Sequence, residues 1–421
     1  MSVPGVLGLI FNNLYSISII RFLTYTLFYV IIGVLLGVIT GLTPGVHTNL
    51  LAVIIVGFLT KFSLQIPIVF VLVMLTSMVT TNIFLDYIPS ILLGLPEEST
   101  ALSVLPGHRL VIKGLGFAAL ITSMTSTFVG ILILFLASPV LVLVIPKLFF
   151  FVKRITTTFL IIISIFLISS HGKRFLYSLI VFLTSGFLGF VVLNSNIKEP
   201  LLPLFSGLFG LSIIMKSLFS RSRVPKQELR VRVRINPWNI IIGSSLGLLT
   251  ILFPGVSSSM VASLTRTQST KDNSEKIFLE RVASVNSSNL FLGFIGAFTI
   301  LKYRNGVLVV MSRMSRIDFK MGFFLLIIIL ITSGIALIIG LYASKAMLLI
   351  INNVDYKKLN LLSLIVILLI TILISGYSGV IVLFFSTLVG LLAQNLGVRK
   401  TSCMGSLLFP IILWRLGIRG F

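Results

Sequence analysis

Long apolar runs separated by short polar stretches follow one another along almost the whole chain. Clear examples are residues 131–144, 322–339 and 361–374. A helix needs roughly 20 apolar residues to cross the hydrocarbon core of a bilayer, and these runs are too uniformly apolar to be the alternating strands of a membrane barrel. The pattern therefore predicts an all-α polytopic membrane protein with about 9 to 11 spans or half-spans, because Pro and Gly interrupt several runs.

Composition excludes a soluble globular fold. Of the 421 residues, 57% are hydrophobic and 10% are charged, and the mean hydropathy is +1.15, which is typical of membrane proteins. The 33 Lys and Arg residues outnumber the 10 Asp and Glu residues. Because the bases stand in short loops between apolar runs, anionic lipid and the positive-inside rule explain them, and nucleic acid is not a predicted partner. We therefore expect a multi-pass protein of the cell membrane, with the lipid bilayer as its surroundings.

Two blocks of sequence recur in the same order and indicate an internal repeat. At one constant offset, Gly33, Gly37, Pro44, Gly45 and Val46 match Gly243, Gly247, Pro254, Gly255 and Val256. Residues 80–88 then match residues 287–295, with hydroxyl, amide, aromatic and aliphatic types in step. We predict a first transmembrane repeat at residues 1–215, a basic cytoplasmic linker at 216–236 and a second transmembrane repeat at 237–421. Broken helices from both halves favour an inverted arrangement of the repeats.

The Pro-Gly pair in each half predicts a broken helix that binds an anion. Pro lacks an N–H donor and Gly adopts non-helical angles, and a break at membrane depth persists only within protein or beside a water-filled cavity. The helix that restarts after the break offers free N–H groups and the positive end of its dipole. The predicted substrate-binding residues are Thr43, Pro44, Gly45, His47, Thr48, Asn49, Pro254, Gly255, Ser257, Ser258 and Ser259. The alternative is a Pro kink packed against neighbouring helices.

Three polar residues in the second block predict a site for a coupling ion, Na+ or H+. Asn82 and Asn289 occupy matching positions, and an amide oxygen coordinates a cation. Asp86 stands between apolar neighbours, where a carboxylate is costly enough to indicate function. The alternatives are that the amides join helices and that Asp86 caps a half-helix. The repeat counterpart of Asp86 is Gly293.

The sequence predicts neither an enzyme nor a cofactor. Three histidines, His47, His108 and His171, show no metal-binding spacing, and Cys403 is the only cysteine. Catalytic elbows and nucleotide-binding motifs are absent from the sequence. An ion gradient is therefore the expected source of energy.

Several runs of residues resemble one known family. Residues 41–49, 84–90 with Gly94, and 100–108 look like the archaeal branch of the large membrane subunit family of tripartite tricarboxylate transporters, and residues 206–210 and 397–405 are similar too. The resemblance implies a permease. In the bacterial branch, this subunit works with a small membrane subunit and an extracytoplasmic binding protein, and takes up citrate-like carboxylates with an ion gradient.

The pattern and the resemblance together predict a secondary active transporter. It would move a small organic anion, a di- or tricarboxylate, by ion-coupled alternating access. One alternative is a flippase for a lipid-linked phosphate, because half-helix N-termini bind phosphate as well as carboxylate. The other is a non-transporting membrane scaffold, which would gain nothing from exposing backbone in the bilayer.

Overall fold

The computed structural model describes residues 19–43, 48–61, 66–93, 104–169, 174–219, 225–229, 231, 233–253, 256, 258, 261, 274–352 and 356–418. The helices of the first half are α1 (Ile19–Leu42), α2 (Thr48–Lys61), α3 (Ile68–Leu85), α4 (Val104–Ile112), α5 (Gly116–Ser169), α6 (Phe175–Leu193), α7 (Leu201–Phe205) and α8 (Ser212–Phe219). Two π-helical segments, Pro89–Leu93 and Ser206–Leu211, follow α3 and α7.

The second half is helical as well. Its helices are α9 (Pro237–Leu246), α10 (Leu248–Leu252), α11 (Ser274–Thr299), α12 (Gly306–Met314), α13 (Phe319–Asn352), α14 (Tyr356–Asn395) and α15 (Gly405–Arg415). A 3-10 turn, Lys400–Met404, precedes α15. Within the described residues, 7 helices are long and apolar enough to cross a membrane, and three shorter apolar helices accompany them. No strand occurs in this part of the chain, so the predicted all-α polytopic membrane fold is confirmed.

Glycines allow two helices of each half to pack in close contact. A Cβ added at Gly33 in α1 would lie 2.3 Å from the carbonyl oxygen of Met74 and 2.7 Å from Cβ of Ser77, both in α3. A Cβ added at Gly243 in α9 would lie 2.0 Å from Oγ of Ser284 in α11. The small residues that the sequence repeats are therefore contact points between helices, and corresponding helices make the contact in both halves.

Two threonines extend this correspondence between the halves. Thr40 Oγ1 donates to the carbonyl of Gly37 at 3.2 Å, near the end of α1. Thr250 Oγ1 donates to the carbonyl of Gly247 at 2.7 Å, in α10. Each bond satisfies a hydroxyl inside its own helix just before the Pro-Gly pair. The two helices thus approach their breaks with the same local structure.

Helices α5 and α13 are packed against each other in antiparallel orientation. Ser344 Oγ lies 3.8 Å from Sδ of Met124, and a Cβ at Gly340 would lie 2.9 Å from the same sulfur. Further along α5, Phe128 faces Gly334. Residue numbers therefore rise along one helix as they fall along the other.

The described part of the predicted linker joins the two halves at one end of this helix pair. Gln227 Oε1 accepts from the N–H of Gly116 at the start of α5, at 2.8 Å. Gln227 Nε2 donates to the carbonyl of Val111 at the end of α4, also at 2.8 Å. The N–H of Gln227 donates to Oδ1 of Asn352 at the end of α13, again at 2.8 Å. One residue of the linker thus connects three helix ends, two through its side chain and one through its backbone N–H.

Helices near the end of each half pack against the other half. A Cβ at Gly189 in α6 would lie 2.0 Å from the carbonyl oxygen of Ser406 in α15. A Cβ at Gly390 in α14 would lie 2.5 Å from the carbonyl oxygen of Leu208 in the π-helical segment of the first half. Each half therefore packs helical segments near its end against the other half.

The reactivity of Cys403, in the turn before α15, is expected to show whether this packing between the halves is intact. It is fully buried, and burial raises the pKa of its thiol to about 11 although nearby Lys400 opposes the shift. Because the thiolate is the reactive form, we expect Cys403 to resist maleimide labelling in the folded protein and to react once denaturant is added. Mass spectrometry of the labelled chain measures both states. Rapid labelling without denaturant would contradict the burial of this turn.

Candidate functional site

The first helix break lies between α1 and α2. Helix α1 ends at Leu42, and α2 begins at Thr48, which is buried. Thr43 is exposed, and its N–H donates to the carbonyl of Ile39 at 3.0 Å. The other predicted members of this turn, Pro44, Gly45 and His47, lie outside the described residues. The helix bounds agree with a break at the Pro-Gly pair.

The start of α2 lies against the second half of the chain. Asn49 is half-buried, and a Cβ at Gly306, the first residue of α12, would lie 2.5 Å from Cγ of Asn49. Glycine at position 306 therefore leaves room for the Asn49 side chain at the start of α12. The helix that follows the first Pro-Gly pair thus begins at a contact between the two halves.

The second break follows α10. Helix α10 ends at Leu252, and Phe253 takes an extended conformation. Pro254, Gly255, Ser257 and Ser259 lie outside the described residues. Ser258 is buried, with a relative exposure of 1%, and its Oγ has no hydrogen-bond partner among the described residues. A buried hydroxyl without a partner is costly, so this atom is a candidate contact for a ligand or water.

An arginine that the sequence did not single out closes the end of α10. Arg304 donates from Nε and Nη2 to the carbonyl oxygen of Ile251, at 3.1 and 2.6 Å. The last carbonyls of a helix lack partners within the helix and carry its negative partial charge. Arg304 therefore satisfies the broken end of the helix just before the second Pro-Gly pair.

The predicted coupling-ion residues fall into two places. Asn82 and Asp86 are buried one turn apart at the end of α3. Asn82 Nδ2 donates to Thr40 Oγ1 at 3.3 Å, and Asp86 Oδ1 accepts from Ser90 Oγ at 3.3 Å. Asn289 is half-buried in α11, the corresponding helix of the second half. The structure thus groups two of the three predicted residues beside the end of α1.

A second polar contact that the sequence did not indicate lies beside Asp86. The Tyr87 hydroxyl lies 3.0 Å from Oγ1 of Thr127 in α5, and the side chain of Asn286 in α11 stands near the same hydroxyl. Tyr87 and Asn286 are both buried. Because Asn286 of the second half stands near Tyr87, a shift of α11 relative to α3 would alter the surroundings of Asp86.

Within the described residues, no group of three or more His, Cys, Asp or Glu side chains suits a metal ion.

Comparison with known proteins decides the family. The model of the tripartite tricarboxylate transporter TctA family matches residues 27–405. The chain belongs to this family. The match spans both Pro-Gly pairs and the linker and ends at Gly405, the first residue of α15. The resemblance seen in the sequence is thereby confirmed.

One relative supports the archaeal side of this TctA assignment. A protein of Methanocaldococcus jannaschii, described as uncharacterized, is 28% identical over 356 residues, which is 81% of this chain and 87% of its own length. No solved structure matches the chain. TctA is a family of transporter components, so this multi-pass membrane protein is a component of a transporter of the tricarboxylate transporter class. Because the transporters of this family are tripartite, partner subunits accompany the TctA component.

Proposed function

We propose that this TctA protein is a secondary active permease of the cell membrane that moves a di- or tricarboxylate by ion-coupled alternating access. The observation that carries the proposal is the pair of helix breaks, each followed by a buried hydroxyl, Thr48 after the first and Ser258 after the second. Paired interrupted helices in corresponding positions are typical of transporter binding sites. The N–H groups of the restarted helices and these hydroxyls would bind the carboxylate groups.

The two halves are proposed to be inverted repeats of the kind that alternating access uses. Corresponding helices α5 and α13 follow corresponding helices α4 and α12 and pack antiparallel, as the contact of Met124 with Ser344 indicates. A direct repeat would give these helices the same direction. In inverted transporters, one repeat rocks against the other around a fixed midplane site.

The coupling ion, Na+ or H+, is proposed to bind near Asp86 and Asn82, with Asn289 as the corresponding residue of the other half. Support comes from the burial of Asp86 among apolar side chains and from its position next to Tyr87, near which Asn286 of the second half stands. A small membrane subunit and an extracytoplasmic binding protein would deliver the anion.

Replacing Thr48 by Val, or Ser258 by Ala, is expected to weaken carboxylate binding. A hydrogen bond to a charged group contributes about 1.5 to 3 kcal/mol, so the Kd should rise about tenfold or more. Thermal stabilisation of the purified protein by a panel of di- and tricarboxylates measures the change, and uptake into vesicles measures transport. A lipid-linked phosphate tested in the same panel separates the flippase alternative.

The matched control is Thr24→Val. Thr24 is exposed on α1, and its hydroxyl already bonds the carbonyl of Ile20. Its removal should leave binding within about twofold of the original protein, since no ligand contact is lost. If Thr48→Val and Ser258→Ala bind carboxylates as tightly as this control, the anion site does not lie at the two breaks.

A further inference from the structure

Helix α5 carries one buried polar face. Its members are Ser123 and, three, four and seven residues later, Ser126, Thr127 and Gly130. This spacing puts them on the same side of the helix. The relative exposures of the three hydroxyl residues are 1%, 0% and 0%, and Gly130 is buried as well. This part of α5 therefore directs its hydroxyl groups toward neighbouring helices and away from lipid.

This face of α5 lies against two helices of the second half. A Cβ added at Gly130 would lie 2.3 Å from Oγ of Ser287 in α11 and 3.5 Å from Oγ of Ser244 in α9. Further along, the rings of Phe135 in α5 and Phe291 in α11 have their centroids 6.5 Å apart. Residue numbers rise together in the two helices, so α5 and α11 run in the same direction. The hydroxyls that precede Gly130 therefore lie alongside the turns of α11 that precede Ser287.

The same face also contacts the end of α3. Oγ1 of Thr127 lies 3.0 Å from the hydroxyl of Tyr87. Asn286, the neighbour of Ser287 in α11, stands near the same hydroxyl. Asp86 precedes Tyr87 in the chain, and both residues are buried. Helices of both halves thus meet at a polar seam, which consists of Ser123, Ser126, Thr127, Ser244 and Asn286.

Four polar atoms of this seam have no hydrogen-bond partner among the described residues. They are Oγ of Ser123, Ser126 and Ser244, and Nδ2 of Asn286. None of these residues is more than 3% exposed, so bulk water does not satisfy them. A buried polar atom without a partner is costly, and several of them in one seam indicate a bound ligand or ordered water.

The corresponding contact of the other half is satisfied within the protein. There, α3 and α13 take the places of α11 and α5, and Oγ of Ser77 lies 3.2 Å from Oγ1 of Thr332. Both residues are fully buried. The repeated fold is therefore able to pair hydroxyls across this contact. The unpaired set between α5 and the second half is a separate feature, which the fold alone does not require.

The chemistry of the polar seam suits a small monovalent cation. Hydroxyl and amide oxygens are neutral ligands for hard cations, and no partner of Nδ2 fixes the orientation of the Asn286 amide. The close approach of Gly130 to Ser287 leaves no room for a di- or tricarboxylate. Buried Asp86 places a carboxylate next to Tyr87, and a nearby carboxylate favours a positive ion.

We propose that Ser126, Thr127, Ser244 and Asn286 hold a Na+ ion in the polar seam, beside Tyr87. The inference deepens the proposed function, on which it rests, by naming the coupling ion and by adding ligands from α5, α9 and α11 to the region of Asp86. A cation held by helices of both halves stabilises one arrangement of the halves. Its binding is thereby linked to their relative movement.

The test measures the thermal midpoint of the purified full chain in detergent while NaCl replaces choline chloride at constant ionic strength. The variants are Ser126→Ala, Ser244→Ala and Asn286→Ala. The matched control is Thr332→Val, which removes a buried hydroxyl that is already paired, at the corresponding contact of the other half. A series in KCl and a series at several pH values separate Na+ from K+ and from protons.

The original protein is expected to gain stability with NaCl, and the three seam variants should raise the apparent Kd for Na+ about tenfold or more, because each removes one ligand of a charged ion. In choline chloride, Ser126→Ala should unfold at or above the temperature of the original protein, since it removes a hydroxyl without a partner. Thr332→Val should be less stable in both salts and keep the Kd within about twofold.

Three results would overturn the Na+ site. The first is a NaCl response of Ser126→Ala and Asn286→Ala equal to that of the original protein, which would leave ordered water in the seam. The second is a stability that responds to pH and not to NaCl. The third is stabilisation by carboxylates that the seam variants lose while their response to NaCl is unchanged.

Uptake into proteoliposomes separates this inference from the proposed function. Carboxylate uptake that a proton gradient drives and that Na+ does not affect would overturn the Na+ site and leave the permease standing. Stabilisation by Na+ that the seam variants lose, in a protein that takes up no carboxylate, would support the site and overturn the carboxylate permease.

Discussion

Replacing Gly189 by Val is expected to prevent α6 and α15 from packing and to lower the free energy of unfolding by about 3 kcal/mol or more. The Cβ of the new side chain would lie 2.0 Å from the carbonyl oxygen of Ser406 and 2.6 Å from its carbonyl carbon. Both atoms belong to the backbone, so the helices themselves must separate. The thermal midpoint in detergent and maleimide labelling of Cys403 measure the loss.

The same substitution at Gly57 provides the control. Gly57 lies on the exposed side of α2, and a Cβ added there would meet no atom within 4 Å. Gly57→Val should therefore cost no more than the small helix-propensity difference of a β-branched residue. If Gly189→Val unfolds at the same temperature as Gly57→Val, the close contact of α6 with α15 is wrong.

The packing of each half against the other leads to a related prediction for Gly390 in α14 of the second half. Gly390→Val would bring a Cβ to 2.5 Å from the carbonyl oxygen of Leu208, which is again a backbone atom. If Gly390→Val lowers the free energy of unfolding as much as Gly189→Val does, both close contacts stabilise the fold in the same way. Both contacts lie outside the sequence repeat, whose last matched blocks are residues 80–88 and 287–295.

Local signals account for what the sequence predicted correctly. Apolar length alone identifies membrane helices, and Pro-Gly pairs mark the ends of α1 and α10 because they act on the backbone of neighbouring residues. Gly33 and Gly243 recur because each faces a neighbouring helix at a distance that admits no side chain. These features require no knowledge of which distant segment lies opposite.

Contacts between distant residues account for what the sequence did not predict. Arg304 lies in a short loop without a periodic pattern, and it donates a hydrogen bond to the carbonyl of Ile251, which is distant in the sequence. Tyr87 stands near Asn286 although the two belong to different halves. No local spacing distinguishes such an arginine or tyrosine from one in a solvated loop, so only the folded chain identifies them.

Glu280 is a buried acidic residue that the sequence did not single out, because charged residues stand next to it in the chain. The sequence drew attention to Asp86 because apolar residues surround it, yet Glu280 is also buried, with a relative exposure of 1%. Its Oε2 accepts from Nδ2 of Asn239 at 2.6 Å, between α9 and α11. Lys276 and Arg281 stand close to it in sequence, so the stretch resembles a solvated helix end. Burial follows here from the packing of α9 against α11, and the sequence pattern does not show it.

Replacing Lys400 by Met is expected to lower the free energy of unfolding by about 3 kcal/mol, because it removes several buried hydrogen bonds from a charged donor. Lys400 is buried, with a relative exposure of 3%. Its Nζ donates to the carbonyl of Leu208 at 2.6 Å and to the hydroxyl of Ser212. These groups belong to the π-helical segment of the first half and to the start of α8. Thermal unfolding in detergent measures the change.

Lys345→Met is the control, since Lys345 is exposed on α13. Lys400→Arg should retain most of the stability, because the guanidinium still donates to the carbonyl of Leu208. If Lys400→Met is as stable as Lys345→Met, the lysine does not satisfy these carbonyls. A buried charge in a membrane protein that contributes nothing to stability indicates a functional role, and uptake by Lys400→Met would then become the decisive measurement.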